Sequence, residues 1–131
     1  MRIFRQIEVA RHNEIGKRGE DLAGAFLQRA GYELLARNWR YRRAELDLVV
    51  RKDDILIFVE VKTRNSDLYG SPEIFVTSRK EDLMLAAAKA YMEEVGHEWE
   101  IRFDIITVIL RSERDYEIRH FKDAFFPGLE G

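Results

Sequence analysis

The clearest pattern of apolar and polar positions lies between Glu45 and Lys62. Glu45-Leu46-Asp47-Leu48-Val49-Val50-Arg51 and Ile55-Leu56-Ile57-Phe58-Val59-Glu60-Val61-Lys62 are two β-type runs, and Lys52-Asp53-Asp54 is the turn-like break between them. A short loop centred on Asp53-Asp54 predicts a β-hairpin whose paired residue numbers sum to 107. Side chains alternate faces along a strand, so Leu46, Leu48, Val50, Ile55, Ile57, Val59 and Val61 should form one wholly apolar face. The other face should carry Val49, Leu56 and Phe58 at one end and Glu45, Asp47, Glu60 and Lys62 at the other. A one-residue slip would drive acids into the core, which fixes the register.

The flanking segments complete the outline. Asn13 is a candidate cap for a helix running to about Ala30, with Ile15, Gly19, Leu22, Ala23, Phe26, Leu27 and Ala30 on one side and Gly31 as the stop. Gly16, Gly19 and Ala23 are small enough to let that helix approach a sheet closely. Tyr32 to Trp39 reads as a first strand, and Thr63 to Val76 as a loop broken by Asn65, Ser66, Asp67, Gly70, Ser71 and Pro72. A second helix begins at Ser78, with Glu81 completing a capping box. Its apolar stripe is Leu83, Met84, Ala87, Tyr91 and Val95, and Gly96 ends it. Ile101 to Leu110 is a further strand, and Tyr116 to Phe121 reads as a fifth. A strand that follows a crossover helix can join the hairpin in parallel. The expectation is an α/β sandwich: a mixed central sheet of four to five strands in the order αβββαβ, with flanking helices.

Composition narrows the class. With 131 residues, 46% of them hydrophobic, the chain suits one domain with a single core. It has no cysteine, which rules out disulfides and thiolate zinc sites and fits a reducing compartment. No apolar run reaches membrane-spanning length, and residues 1–13 carry scattered charges and no signal-peptide core, so a cytoplasmic protein without membrane association is expected. The net charge of −2 hides an asymmetry. Residues 1–64 hold 14 basic and 10 acidic side chains, and residues 65–131 hold 8 basic and 14 acidic ones. Arg37, Arg40, Arg42 and Arg43 crowd one stretch with Trp39 and Tyr41 between them. Arginine forks bind phosphate oxygens and aromatic rings stack on bases, so the patch suits nucleic acid. It equally suits a solvated edge strand.

The hairpin register puts Asp47 opposite Glu60 and Glu45 opposite Lys62. Cross-strand neighbours have Cβ atoms about 5 Å apart, and like charges there repel. A divalent cation between Asp47 and Glu60 would relieve this, with the Val61 carbonyl as a third oxygen ligand; two carboxylates plus phosphate oxygens is a magnesium-like donor set. Lys62, on the Glu60 face, could orient or deprotonate an attacking water or stabilise developing charge. The competing account is a cross-strand network in which Lys62 neutralises Glu45 and Glu60, which leaves three acids against one lysine. Glu20 flanks the apolar stripe of the first helix and could reach the sheet edge, or could be an exposed first-turn acid. Lys80 shares the inward side with Leu83 and Met84 and could reach a phosphate, although a lysine so placed more often snorkels to solvent. His12, His97 and His120 do not cluster and read as surface or packing residues.

A set of short motifs carries a family resemblance. Gly16-Lys17-Arg18-Gly19-Glu20, Leu22-Ala23, Gly31-Tyr32, Arg37-Asn38-Trp39-Arg40, Glu45-Leu46-Asp47 and Phe58-Val59-Glu60-Val61-Lys62-Thr63-Arg64 resemble the bacterial YraN-like family. Gly70-Ser71-Pro72, Lys80, Ala87-Ala88, Arg102-Phe103-Asp104 and His120-Phe121 agree with it. The likeness runs from about residue 13 to residue 126, which sets residues 1–13 apart as an N-terminal extension, 14–126 as the nuclease-like domain and 127–131 as a tail. That family is similar to restriction-endonuclease-like nucleases with a D-(D/E)-x-K core and to archaeal Holliday-junction resolvases. The resemblance implies Asp47 and Glu60 as ligands of Mg²⁺ or Mn²⁺, Lys62 as the catalytic lysine, Glu20 as the helix glutamate that completes the site, and Lys80 as a family lysine of uncertain duty. The family usually has glycine where this chain has Ala44.

Two expectations follow for function, beside a structural scaffold whose acids merely pair with arginine and lysine. One is a magnesium-dependent endonuclease acting on DNA, with branched or junction DNA as the suggested substrate and Arg40, Arg42, Arg43, Arg64 and Lys80 on phosphates. The other is a nucleic-acid-binding module that keeps the fold and works with a partner in repair or recombination. Junction-cutting relatives act as two-fold dimers, so a homodimer belongs to the first expectation.

Overall fold

The computed structural model describes residues 2–65 and 76–126, and most of the expected loop, including Gly70-Ser71-Pro72, and the 127–131 tail lie outside them. The elements are α1 (Arg2–Arg29), β1 (Glu33–Tyr41), β2 (Ala44–Lys52), β3 (Ile55–Arg64), α2 (Ser78–Val95), β4 (Ile101–Leu110) and β5 (Tyr116–Phe125). They build one sheet in the order β1-β2-β3-β4-β5, in which only the β3–β4 pair is parallel. The hairpin register is the expected one: Leu48 faces Val59, Val49 faces Phe58 and Val50 faces Ile57. The α2 crossover joins β3 to β4 in parallel, so the chain forms the restriction-endonuclease-like α/β sandwich, with β5 as an added antiparallel edge.

Each face of the sheet has its own core. On one, Ala23 and Leu27 of α1 pack on Leu48, Val50, Ile57, Val59, Ile106 and Val108. On the other, Met84, Ala87, Ala88 and Tyr91 of α2 pack on Ala44, Leu46, Val49, Leu56, Phe58 and Phe103. Leu46 therefore departs from the expected apolar face, while Leu48 keeps to it. The change of phase falls at Asp47. On β1 the residue between the partners of Leu48 and Leu46 is Asn38, whose φ of 51° is left-handed. Asparagine tolerates that region better than most residues, so the hairpin arm can twist there and swing Leu46 and Trp39 onto α2. Trp39 meets Tyr91 edge-on with ring centroids 5.3 Å apart, so its half-buried ring packs against α2.

The helix ends differ from the sequence reading. α1 starts at Arg2, so Asn13 is an interior residue; nothing between Arg2 and Asn13 breaks a helix, and a capping residue alone does not start one. Ile15 and Ala30, expected on the packed side, are exposed. The cap of α2 is Thr77, whose hydroxyl accepts from the Lys80 amide at 3.2 Å. The capping-box position three residues on is therefore Lys80, and Glu81 lies one residue too late to close the box. Gly96 ends α2 in the left-handed conformation, with φ 69°.

Buried charge at the β4–β5 seam is fully partnered. Asp104 accepts from Arg102 Nε at 2.8 Å and Nη2 at 2.9 Å, from the Asp123 amide at 2.9 Å, and bonds His120 Nε2 at 2.7 Å. Burial would raise its pKa, but these bonds outweigh it and hold the carboxyl below the ordinary range. His120, edge-on to Phe26 and Tyr32, is the packing residue that the sequence suggests.

Gly19 sets the distance between α1 and β3. A methyl group at this buried position would collide with the Thr63 hydroxyl and lie 3.0 Å from Thr63 Cβ and 3.2 Å from Cγ2. Gly16, by contrast, has open space around it. Gly19→Ala should lower unfolding stability by about 1–3 kcal/mol, measured by urea denaturation. Adding Thr63→Ala should recover part of that loss, and strictly additive effects in the double variant would refute the close approach.

Candidate active site

β2 and β3 separate just beyond the Leu48–Val59 pair. Asp47 and Glu60 are thus not a laddered pair as expected. The Asp47 side chain enters the gap instead, and its Oδ2 accepts the Val61 amide at 2.8 Å. That bond keeps the amide satisfied where the ladder stops. It also leaves the carboxylate at the seam of the sheet, reachable from both sides.

From the α1 side come Glu20 and Glu45. Their carboxylates and that of Asp47 can bring one oxygen each within 4.8 Å of one another, the one such acidic group among the described residues. Glu20 is held by Arg37 at 3.4 Å, and Arg37 also binds Asp21 and the Lys17 carbonyl. Glu45 does not meet Lys62. It pairs with Arg40 at 2.9 Å and accepts from Asn38 at 2.9 Å. Alternation along the strand already put Glu45 on the Asp47 face, but set it against Lys62 and not among the metal ligands.

From the α2 side come the lysines. Glu60 is 1% exposed. Its Oε1 binds Lys62 Nζ at 3.2 Å and also Lys80 Nζ. Lys80 therefore turns inward to Glu60 rather than to solvent. Its aliphatic stem follows the Leu83–Met84 side of α2, and the buried carboxylate outweighs the pull of water. The other oxygen, Glu60 Oε2, is buried without a hydrogen-bond partner. So the acids are not left against a single lysine: Glu45 has Arg40, Glu60 has two ammonium groups, and Asp47 has a backbone amide.

The charges respond to this crowding. Burial, then the Glu60 carboxylate, push Asp47 up to about 8 against the Val61 amide and Lys80, and a hydrogen bond between the Asp47 carboxyl and Glu60 adds to the rise. Burial pushes the Lys62 ammonium down, opposed by Glu60 and reinforced by Lys80. Burial also works against the Lys80 ammonium, but Glu60 outweighs it and raises that pKa.

The other sequence candidates lie nearby to varying degrees. Arg40, Arg42 and Arg43 follow one another across the end of β1 and the β1–β2 turn. Arg42 sits over the Tyr41 ring, 5.1 Å from its centroid. Arg64, at the end of β3, donates to the Thr63 carbonyl at 2.8 Å. Val61 touches the site through its amide on Asp47. His97 bonds the Glu100 carbonyl beyond the C-terminal end of α2, and the His12 side chain lies outside the described set. Among the described residues no helix is long and apolar enough to cross a membrane.

A group whose folded pKa is raised from 3.8 to about 8 keeps a proton in the fold that the unfolded chain has released between those values. Stability of the metal-free protein should therefore fall as pH rises through that interval. In chelator, Asp47→Asn should melt above the native chain by a margin that widens from pH 5 to pH 8, reaching about 3–6 °C. This window lies above the titration of Asp104, whose pKa is lowered. A margin that is constant with pH would show that Asp47 is ionised throughout.

The sequence pattern of the Uncharacterised protein family UPF0102 matches residues 19–108, which contain Glu20, Asp47, Glu60, Lys62 and Lys80. A UPF0102 protein of Flavobacterium psychrophilum is 45% identical over 118 residues, covering 90% of this chain and 98% of that protein. One of Bacteroides thetaiotaomicron is 45% identical over 121 residues, covering 92% and 99%. One of Chlorobium phaeobacteroides is 41% identical over 117 residues, covering 85% and 92%. The chain belongs to the uncharacterised protein family UPF0102, the YraN-like family whose motifs its sequence carries.

Proposed function

We propose that this protein is a metal-dependent nuclease that hydrolyses phosphodiester bonds in DNA, with Asp47 and Glu60 holding Mg²⁺ or Mn²⁺ and Lys62 acting on the reacting phosphate. The observation that carries the reading is the buried pair of Asp47 and Glu60: Glu60 Oε2 finds no donor other than a proton on Asp47. Leaving a buried acceptor unpaired costs roughly 1–3 kcal/mol, and more when it is charged. Asp47 stands between that oxygen and the carboxylates of Glu20 and Glu45, and hard oxygen donors of this kind suit a divalent cation, although Glu60 lies outside the group in which oxygens of Glu20, Glu45 and Asp47 come within 4.8 Å of one another. Such an ion, when bound, polarises a phosphoryl oxygen and lowers the pKa of bound water.

The chain's own groups supply the rest. Lys62 stands on the Glu60 side of the seam with its pKa lowered, which brings its neutral form nearer to working pH. It is thus suited to accept a proton from water, or, as the ammonium, to balance charge on the phosphoryl oxygens. Lys80 secures Glu60 and carries a positive charge to the same spot. Arg40, Arg42, Arg43 and Arg64 lie in the segments flanking the seam and bind backbone phosphates in this reading; Arg40 would first have to leave Glu45. Branched or junction DNA is the preferred substrate class in this proposal, and a two-fold dimer its working form.

A second reading keeps DNA binding without chemistry. Lys62 and Lys80 both pair with Glu60 and can balance its charge by themselves, as a binding module would require.

Titrating Mg²⁺ or Mn²⁺ into the pure protein should raise its melting temperature, since saturation at about 100 times Kd adds about 2.7 kcal/mol. Asp47→Ala and Glu60→Ala should each abolish the rise. On a panel of linear, flapped and four-way DNA, Lys62→Ala should cut cleavage by about 100-fold or more while the metal-induced rise persists. Metal binding with DNA binding but no cleavage by the native chain would favour the module; absence of any metal-induced rise would sink the nuclease.

A further inference from the structure

Beside the acidic seam lies a cleft of about 380 Å³ between the β1–β2 turn and the first turns of α2. Glu45 and Asp47 line it, with Ala44, Leu83 and Met84 as apolar wall. Arg43 comes from the turn, and Thr77, Arg79 and Lys80 from α2. The cations thus stand on two opposed elements, with acids between them.

Most arginines of the sheet are occupied by carboxylates: Arg37 by Glu20 and Asp21, Arg40 by Glu45, Arg51 by Glu33, Arg102 by Asp104. Arg43 and Arg79 differ. Both are exposed, and among the described residues neither has an acidic partner, although Glu45 and Asp47 line the same cleft. Guanidinium groups left uncommitted on both walls of a cleft match a chain of phosphates that passes between them. The apolar wall offers a surface to a sugar or an unstacked base. An unpaired strand can turn a base onto that wall, whereas the bases of a duplex stay stacked inside the helix.

We propose that this cleft is the track for one unpaired nucleic-acid strand, with Arg43 gripping a phosphate on one side and Arg79 a phosphate on the other, so that the strand is led across Asp47. The inference rests on the nuclease reading only for the purpose of the track; the binding itself does not require cleavage. It makes the recognised element a single-stranded segment, as in a flap or at an opened junction, rather than continuous duplex.

The test uses the full chain with Ca²⁺ in place of Mg²⁺ and fluorescence anisotropy on labelled single-stranded, flapped and fully paired DNA. Single-stranded and flapped DNA should bind at least about tenfold tighter than the duplex. Arg43→Ala and Arg79→Ala should each weaken that binding about five- to tenfold and lower the slope of log K against log salt by about 0.7. Arg114→Ala, at an exposed position on the β4–β5 connection, should change neither. The same variants are then scored for cleavage in Mg²⁺. Cleavage by a native chain whose Arg43 and Arg79 variants bind and cut as it does would overturn the track and leave the nuclease standing. Arginine-dependent strand binding without cleavage of any DNA would uphold the track and remove the nuclease. Equal affinity for duplex and single strand would overturn the strand preference.

Discussion

The bond from the Val61 amide to the Asp47 carboxylate is the interaction on which the rest of the site depends. An antiparallel ladder would give that amide a carbonyl. Here a side chain takes its place, so β2 and β3 can part without leaving a buried donor bare. The opening is what lets groups from opposite faces of the sheet meet. Glu20 and Glu45 approach Asp47 from the α1 side, and Glu60, Lys62 and Lys80 gather on the α2 side. Without the fork these would be two separate surface clusters with a strand pair between them. The close approach of α1 at Gly19, whose neighbour in sequence is Glu20, has the same effect from the helix side: it sets how far the glutamate must reach.

How much of this was legible in the sequence depends on which interactions are local. The hairpin register followed from alternation and a single turn, because both are properties of neighbouring residues. Lys62 beside Glu60 followed from the same period. The partner of Glu45 did not, because alternation alone carries the ladder on to the strand ends. It stops at Leu48–Val59, and Glu45 turns to Arg40 and Asn38 on β1 instead. Leu46 changed face for a related reason: a left-handed Asn38 lies across from Asp47, and no periodicity reports a φ angle. Asparagine between two strand residues was the available hint. Lys80 went inward because the acid that holds it is distant in sequence, and average lysine behaviour has no knowledge of such a partner. The start of α1 was misplaced because Asn13 has the chemistry of a cap while the residues before it also favour helix.

The two buried acidic centres in this sheet make the case by contrast. Asp104 and Glu60 sit on adjacent parallel strands, one residue apart in register, since Asp104 pairs with Val59. Asp104 receives donors from Arg102, His120 and the Asp123 amide, and its pKa falls despite burial. That is what a sheet does with a carboxylate it keeps for structure: it saturates the oxygens and ties an edge strand to its neighbour. Glu60 is as deeply buried, yet one of its oxygens finds no donor other than a proton on Asp47, which is forced towards the protonated form. The chain had arginines and amides enough to satisfy Asp104, so the shortfall at Glu60 does not come from a lack of donors. A fold that completes one buried acid and leaves its neighbour incomplete accepts lower stability at the second, which is the pattern expected where a ligand finishes the shell. In the nuclease reading proposed above, a hard divalent cation would take the place of that proton, because it is positive, compact enough for a buried oxygen and able to draw the Asp47 proton off.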